Sequence, residues 1–347
     1  MSMEFSLSPQ NSHWNTNTPA GQFLSKIAKR IGLNRPNVWY ADTFSLPMLH
    51  HLKQYYTGTV ILYCWWDPVA DVIARHADDM DLDWIIITSD PALAGKHSRI
   101  QTIQWYKQYG FHVERTVPTR PAKFTTGDRF FCPMRNHKPE RLRWLERLWQ
   151  EQKLDYVSYL CQNNSKHTHG REPNLYWRDS YYNVDTAYEY QPSGEFLQWC
   201  EQNLPLELPN DNTQQLENNT DFFTVGNIEW YDNTDYTVVM ETYWSKSKFL
   251  TEKSFKPILA QHPFVNFGGT GALKQLGFDV FEDVVDVSFD MHAAGEKIKH
   301  FKFPTFDIDP RRLALNLQCA TDLLLDARQE QNLLLDRLED SLASFRA

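Results

Sequence analysis

Three consecutive residues carry the first hint of chemistry. Thr251-Glu252-Lys253 stand ahead of an apolar segment in the stretch FLTEKSFKPILAQHPFVNFGGTG, residues 249–271. Thr251 suits a helix N-cap, and Glu252 suits the positive end of a helix dipole. Lys253 opposes that dipole. It is accounted for if an anion sits between its ammonium and the free N–H groups of the first turn. Pro257 is tolerated only in a first turn. The pattern therefore predicts a helix that begins near Ser254, with Glu252 and Lys253 on an approach turn facing a cleft. A lysine there can neutralise a diphosphate, and a carboxylate can accept two hydrogen bonds from a ribose diol. Together they describe a nucleotide-diphosphate site. A capped helix leading into a strand explains the same residues without a ligand.

Other residues add to this or compete with it. Gly268-Gly269-Thr270-Gly271 precede a predicted helix, so the turn can cradle a phosphate or simply join strand to helix tightly. It lacks the GK[ST] of a P-loop, which argues against an ATPase. Glu241, at the end of a predicted strand, either orients a ligand or caps a turn. Arg135, Asn136, His137 and Lys138 occupy a strand-to-helix loop, as cationic ligands or as a solvated loop. Asp67 and Asp90 follow predicted strands and precede prolines. They are positional candidates for a catalytic base, and turn formation explains them equally. His167-Thr168-His169 with Glu172 has the outline of a loose metal site, but no further ligand anchors it. These histidines, like His50-His51, read as surface residues, and no metal is expected.

Elements must hold these residues in place. The runs VWYA (38–41), TVILYCWW (59–66) and WIIITS (84–89) are continuous and apolar, separated by polar, helix-like spacers. That alternation predicts a parallel sheet covered on both faces. Residues 118–127 (PTRPAKFTTG) have no periodicity and read as a linker. The alternation restarts with a strand at Phe130–Cys132, a helix over PERLRWLERLWQEQ (139–152) and a strand at Tyr156–Leu160. Leu142, Leu145, Leu148 and Trp149 fall on one face of that helix, with Pro139 in its first turn. Residues 162–235 interrupt the rhythm with an Asn/Asp/Gln/Tyr-rich excursion that contains a helix near 194–203. Regular α/β patterning returns at TVVMETYW (237–244), the opening stretch, GALKQLGF (271–278) and FEDVVDVSFDM (281–291). The expectation is an α/β protein of two Rossmann-like domains: residues 1–125, then 126–310 with the excursion at 162–235.

From Arg311 to Ala347, Leu313, Leu317, Ala320, Leu324, Ala327, Gln331, Leu334, Leu338, Leu342 and Phe345 recur at helical spacing. This predicts one long helix over 311–347. Its seam either packs back on the body or serves self-association, as in a homo-oligomer.

Composition limits the rest. The 347 residues carry a net charge of -9, with 41% hydrophobic and 23% charged residues. A soluble protein is expected, and the acidic balance argues against non-specific nucleic-acid binding. The 12 tryptophans supply core or line pockets that stack on sugars or bases. Five separated cysteines without a CxxC pair fit a reduced, cytoplasmic compartment. The polar N-terminus lacks the apolar region of a signal peptide, and no stretch is long enough to span a membrane.

One family resemblance covers residues 128–161 and 236–290. Glu241-Thr242-Tyr243, then Phe249 to Pro257 with its Thr-Glu-Lys, then His262-Pro263-Phe264-Val265-Asn266-Phe267-Gly268, resembles the donor-binding motif of the α-1,3-fucosyltransferase family. Phe130–Arg135, followed by Arg141-Leu142-Arg143-Trp144-Leu145 and the strand Val157–Tyr159, is similar to the start of that family's C-terminal domain. The chain also resembles phage and marine-bacterial proteins in which a similar segment is followed by LK-x-LGF and F-x-D. Here these are Leu273–Phe278 and Phe281-Glu282-Asp283. The resemblance implies a GT-B fold, with two Rossmann-like domains facing across a cleft. It implies transfer of a sugar from a nucleotide-sugar, a GDP-sugar by likeness, to a hydroxyl of a glycan or another acceptor. By the resemblance, Arg141 and Lys253 would contact the diphosphate and Glu252 the ribose. By position alone, Arg135 is a candidate to join Arg141 there, the turn at Gly268 a candidate aid to sugar-nucleotide binding, and Glu241 a candidate to orient the donor. No metal or other cofactor is implied. Three departures stand out: Ser254-Phe255 replace an aliphatic residue and a Trp, the excursion at 162–235 has no counterpart, and the family's N-terminal carboxylate base has no match by motif, which leaves Asp67 and Asp90 as candidates by position only. A non-catalytic interaction or assembly protein on the same shell is the alternative.

Overall fold

The structure, a computed structural model, describes residues 26–27, 29–30, 38–42, 59–64, 84–88, 93–103, 118, 120–134, 139–159, 191–208, 225–241, 250–285 and 298–344. The chain divides into two compact units. The first comprises residues 1–115, 215–223 and 321–347, and the second comprises 116–214 and 224–320.

In the first unit, β1 (Val38–Asp42), β2 (Thr59–Cys64), β3 (Trp84–Thr88) and β4 (Ile100–Thr102) form a parallel sheet in the order β1-β2-β3-β4. The three predicted apolar runs are its first three strands. All five residues of β3 are buried, as a sheet covered on both faces requires. Thr88 and its neighbour Ile103 are joined by a backbone hydrogen bond of 2.9 Å, which extends the pairing just past β4.

The second unit holds the parallel sheet β6-β5-β7-β8. Its strands are β5 (Phe130–Met134), β6 (Val157–Tyr159), β7 (Tyr236–Met240) and β8 (Phe264–Phe267). Its helices are α1 (Pro139–Gln150), α2 (Gly194–Asn203), α3 (Ile228–Asp232), α4 (Glu252–Leu259) and α5 (Thr270–Gln275). Pro139 occupies the first position of α1, where its missing N–H costs nothing. Leu142, Leu145 and Leu148 are buried as predicted, and so is Trp144 on the neighbouring face. Trp144 packs against Phe267 at 5.2 Å and Phe301 at 5.6 Å between ring centroids. The described aromatics thus build a core. Within the excursion, Ser193 caps α2, and its N–H and hydroxyl both donate to Glu146 of α1, at 2.9 and 2.6 Å.

The described residues of the aperiodic 118–127 segment are fastened to the rest of the second unit. Ala122 N–H donates to the Ala260 carbonyl at 2.8 Å, and Lys123 N–H to Asp232 at 2.7 Å. The Arg120 guanidinium pairs with Asp232, and the Thr125 hydroxyl with Asp235. Gly127 is required there, since a Cβ would overlap the Asp235 carboxylate.

The long C-terminal helix, α6, runs Pro310–Ser344. Asp309 caps it by accepting from Arg311 N–H at 2.9 Å. Its first eleven residues belong to the second unit and the rest to the first. Leu313, Ala320, Leu324, Ala327, Gln331, Leu334 and Leu338 are all buried by the chain itself. Of the two readings of the seam, the helix packed on the body is therefore the one the burial supports. Leu342 and Phe345 lie outside the described side chains.

No described helix is long and apolar enough to cross a membrane.

Candidate functional site

The second sheet changes direction between β5 and β7. From β5 the chain passes through α1 to β6 on one side, and from β7 through α4 to β8 on the other. Open parallel sheets place ligands at such a switch point, outside the carboxyl ends of the strands. The ladder is short there. β5 and β7 pair only at Phe130↔Tyr236 and Phe131↔Thr237. By contrast, β5 pairs with β6 up to Met134↔Tyr159, and β7 with β8 up to Met240↔Phe267. The carboxyl halves of β5 and β7 are therefore unpaired with each other.

Arg141, in the first turn of α1, enters this position. It is 2% exposed, and its Nη2 donates to the Met240 carbonyl at 3.0 Å and to the Glu241 carbonyl at 3.5 Å. A guanidinium from the β5 side thus satisfies the strand end of β7. Beside it, Glu140 is 6% exposed, and neither carboxylate oxygen has a hydrogen-bond partner among the described residues.

Glu241 directly follows β7 and is fully buried. Its Oε1 accepts from Thr251 N–H at 3.0 Å, and its Oε2 from the Thr251 hydroxyl at 2.7 Å. The Ser254 hydroxyl also donates to Oε1. Thr251 is the N-cap of α4, and its Oγ1 accepts from Lys253 N–H at 3.3 Å. In an ordinary capping box, a Glu or Gln in the third helical position reaches back to the N-cap N–H. Here that position holds Ser254, and the carboxylate comes from the end of the neighbouring strand. The network continues into β8. Asn266 Nδ2 donates to Ser254 Oγ at 2.7 Å, and Asn266 Oδ1 accepts from Gly269 N–H at 2.9 Å.

This geometry corrects the expected start of the helix. α4 begins at Glu252, not near Ser254, and Pro257 lies inside it at the sixth position. The external cap decides the matter, because it satisfies the N-terminal donors two residues earlier than the proline alone allows. The helix is accordingly short, and its last turn closes by Ala260 N–H to the Lys256 carbonyl at 3.0 Å.

Lys253 and Glu252 therefore stand in the first turn of α4. Lys253 Nζ lies 2.9 Å from Glu252 Oε1 and 3.3 Å from Thr251 Oγ1. Their side chains are 23% and 12% exposed. Burial pushes the Glu252 carboxyl upward. The Lys253 and Lys256 ammoniums, with hydrogen bonds from Lys253 and from its own backbone, outweigh it and hold its pKa below the usual range. The cation that opposes the helix dipole thus has a carboxylate as its neighbour. The N–H groups of Lys253 and Ser254 are also occupied within the chain, by Thr251 Oγ1 and the Thr251 carbonyl. The free N–H groups expected to face an anion are absent at these two positions. What the mouth offers a ligand is side-chain charge.

The glycine turn is likewise committed. Gly268 has φ +99°, a conformation that favours glycine. A Cβ on Gly269 would stand 2.8 Å from Asn266 Oδ1 and 2.9 Å from Leu250. Close packing explains this glycine, and its N–H is held by Asn266. Glu241, Thr251, Glu252, Lys253, Arg141 and Gly268 all fall at the carboxyl end of the second sheet. Arg135, Asp67 and Asp90 lie outside the described residues, as do His50, His51, His167, His169 and Glu172. No group of three metal-ligating side chains occurs among the described residues. Cys132 and Cys200 are buried, and burial pushes both thiols up to about 12, which disfavours the reactive thiolate.

Sequence reasoning missed Ser254 and Asn266 as parts of the site. The signal was present: a lone Asn between Val265 and Phe267, in a strand whose four residues are all buried, needs a polar partner.

Compared with known proteins, the chain matches no protein-family model and no curated protein. The architecture that stands is mixed α/β, with two parallel sheets and Rossmann-like connections in the second unit.

Proposed function

We propose that this chain is a GT-B-type glycosyltransferase that moves a sugar from a nucleotide-sugar donor, a GDP-sugar by family likeness, to an acceptor hydroxyl. The supporting observation is the placement of the Thr251-Glu252-Lys253 turn. It is clamped by Glu241 to the end of β7, at the switch point where Arg141 also meets that strand. In this reading the second unit is the donor domain and the first is the acceptor domain. Lys253 and Arg141 face the diphosphate, and Glu252 faces the ribose. As the leaving diphosphate gains charge, the two cations stabilise it. A carboxylate of the first unit, Asp67 or Asp90, deprotonates the acceptor.

The Lys253–Glu252 pair and the internally satisfied helix mouth favour a second reading, a non-catalytic interaction protein on the same shell. A thermal-shift screen with GDP, UDP and their sugars separates the two. The transferase reading expects stabilisation by one nucleotide diphosphate and its sugar, lost in Lys253→Ala. Indifference to every nucleotide would leave the interaction protein.

A further inference from the structure

We infer that Ser254 and Asn266 are positioning residues for Lys253, acting through Glu241 and Thr251 without touching a ligand. The inference rests on the donor-site reading above.

The chain of contacts is directional. Asn266 Nδ2 donates to Ser254 Oγ at 2.7 Å, which leaves the single Ser254 hydroxyl proton for Glu241 Oε1. Thr251 donates its N–H to the same Oε1 at 3.0 Å and its hydroxyl to Oε2 at 2.7 Å. The Thr251 oxygen then has only lone pairs to offer. It accepts from both the backbone N–H and the Nζ of Lys253, each at 3.3 Å. These contacts form one continuous chain, so the Thr251 contact of the Lys253 ammonium is linked to β8, three side chains away. Ser254 and Asn266 are 0% and 1% exposed and sit beneath the turn. The same Asn266 side chain holds Gly269 N–H, so the glycine turn and the α4 mouth share one anchor.

An apolar residue in place of Ser254 would leave Glu241 and Asn266 each short of a partner. Glu241 could then turn away from Thr251, and the lysine would lose its second contact. The effect on a diphosphate comes wholly through the lysine, and an uncharged nucleoside is indifferent to it.

The test is a double-mutant cycle on the full chain, with GDP and guanosine as probes in isothermal titration. Ser254→Ala should weaken GDP about tenfold and leave guanosine unchanged, a loss on the scale of one buried hydrogen bond. Lys253→Ala should weaken GDP further. The double variant should bind GDP no more weakly than Lys253→Ala alone, because the serine acts only through the lysine. Ser254→Cys, a weaker donor of similar size, should fall between wild type and Ser254→Ala, and it serves if the alanine variant does not fold. A purely structural role would lower melting temperature equally in both backgrounds, and the two GDP losses would multiply. That result, or wild-type affinity in both Ser254 variants, overturns the inference alone. A wild-type protein that binds UDP in place of GDP moves the same cycle to UDP and uridine, and one that binds neither diphosphate overturns the donor-site reading and this inference with it.

Discussion

Glu241 and Thr251 are ten residues apart in the chain, and one carboxylate joins them twice. It takes the Thr251 N–H at 3.0 Å and the Thr251 hydroxyl at 2.7 Å. A strand end thereby supplies the cap for the next helix and sets where that helix begins. Glu241→Ala leaves three buried donors, counting the Ser254 hydroxyl, without their acceptor. The expected loss is about 3 kcal/mol or more, against about 1 kcal/mol for Thr251→Ala, which removes only the cap oxygen and its bonds. Urea denaturation midpoints check the order. Equal losses would show that the carboxylate does not organise the turn.

Glu140 predicts the opposite sign. Its carboxylate is buried without a hydrogen-bond partner among the described residues, and such a group destabilises the fold. Glu140→Gln or Glu140→Leu should raise stability by about 1–3 kcal/mol, read as a higher urea midpoint with an unchanged slope. A drop in stability would mean that the folded protein supplies this carboxylate with a partner.

His262 gives a pH dependence. Burial lowers its pKa from 6.5 to about 4, although the Thr234 carbonyl favours the charged form. Its Nε2–H donates to that carbonyl at 3.0 Å, and Nδ1 accepts from the Thr237 hydroxyl at 2.9 Å. The unfolded chain binds a proton at this histidine at a higher pH than the folded chain does. The stabilisation is therefore complete above pH 6.5 and is lost as pH falls towards 4, by about 3 kcal/mol in total. Below that window the loss passes to carboxylates whose pKa values are held down by arginines, Asp232 by Arg120 and Asp279 by Arg312. In His262→Gln, the slope of unfolding free energy between pH 6.5 and 4 should flatten, while the decline below 4 persists. An unchanged slope in the variant would assign the window to other groups.

Adjacent leucines in α6 test its packing. Leu324 is 1% exposed and Leu325 is 44% exposed. Leu324→Ala should cost about 2–5 kcal/mol, and Leu325→Ala about 0.5 kcal/mol or less. Light scattering alongside thermal unfolding checks both. A Leu324→Ala protein that changes its mass without losing stability would return the seam to self-association.

Much of the fold was legible because its signals are local. Continuous apolar runs identified β2 and β3 as parallel strands, with β3 buried throughout, and a three-four spacing identified α6. The helix near 194–203 was placed correctly. β4 escaped notice because three residues carry no periodicity. The segment 118–127 read only as a linker because the partners that fasten it, Asp232 and Asp235, lie more than a hundred residues away.

The sequence by itself determined that Thr251-Glu252-Lys253 is a helix mouth following a buried strand, since capping preference and helix dipole are properties of neighbouring residues. Only the tertiary structure decided what that mouth rests on. Sheet register brings Glu241 beneath Thr251, and the reversal between β5 and β7 brings Arg141 to the end of β7. Pairing β7 with β8 sets Asn266 against Ser254. Proline chemistry predicted a later start for α4, and a carboxylate from another strand overrode it. A hydrogen bond depends on distance in space, and a sequence records only distance along the chain.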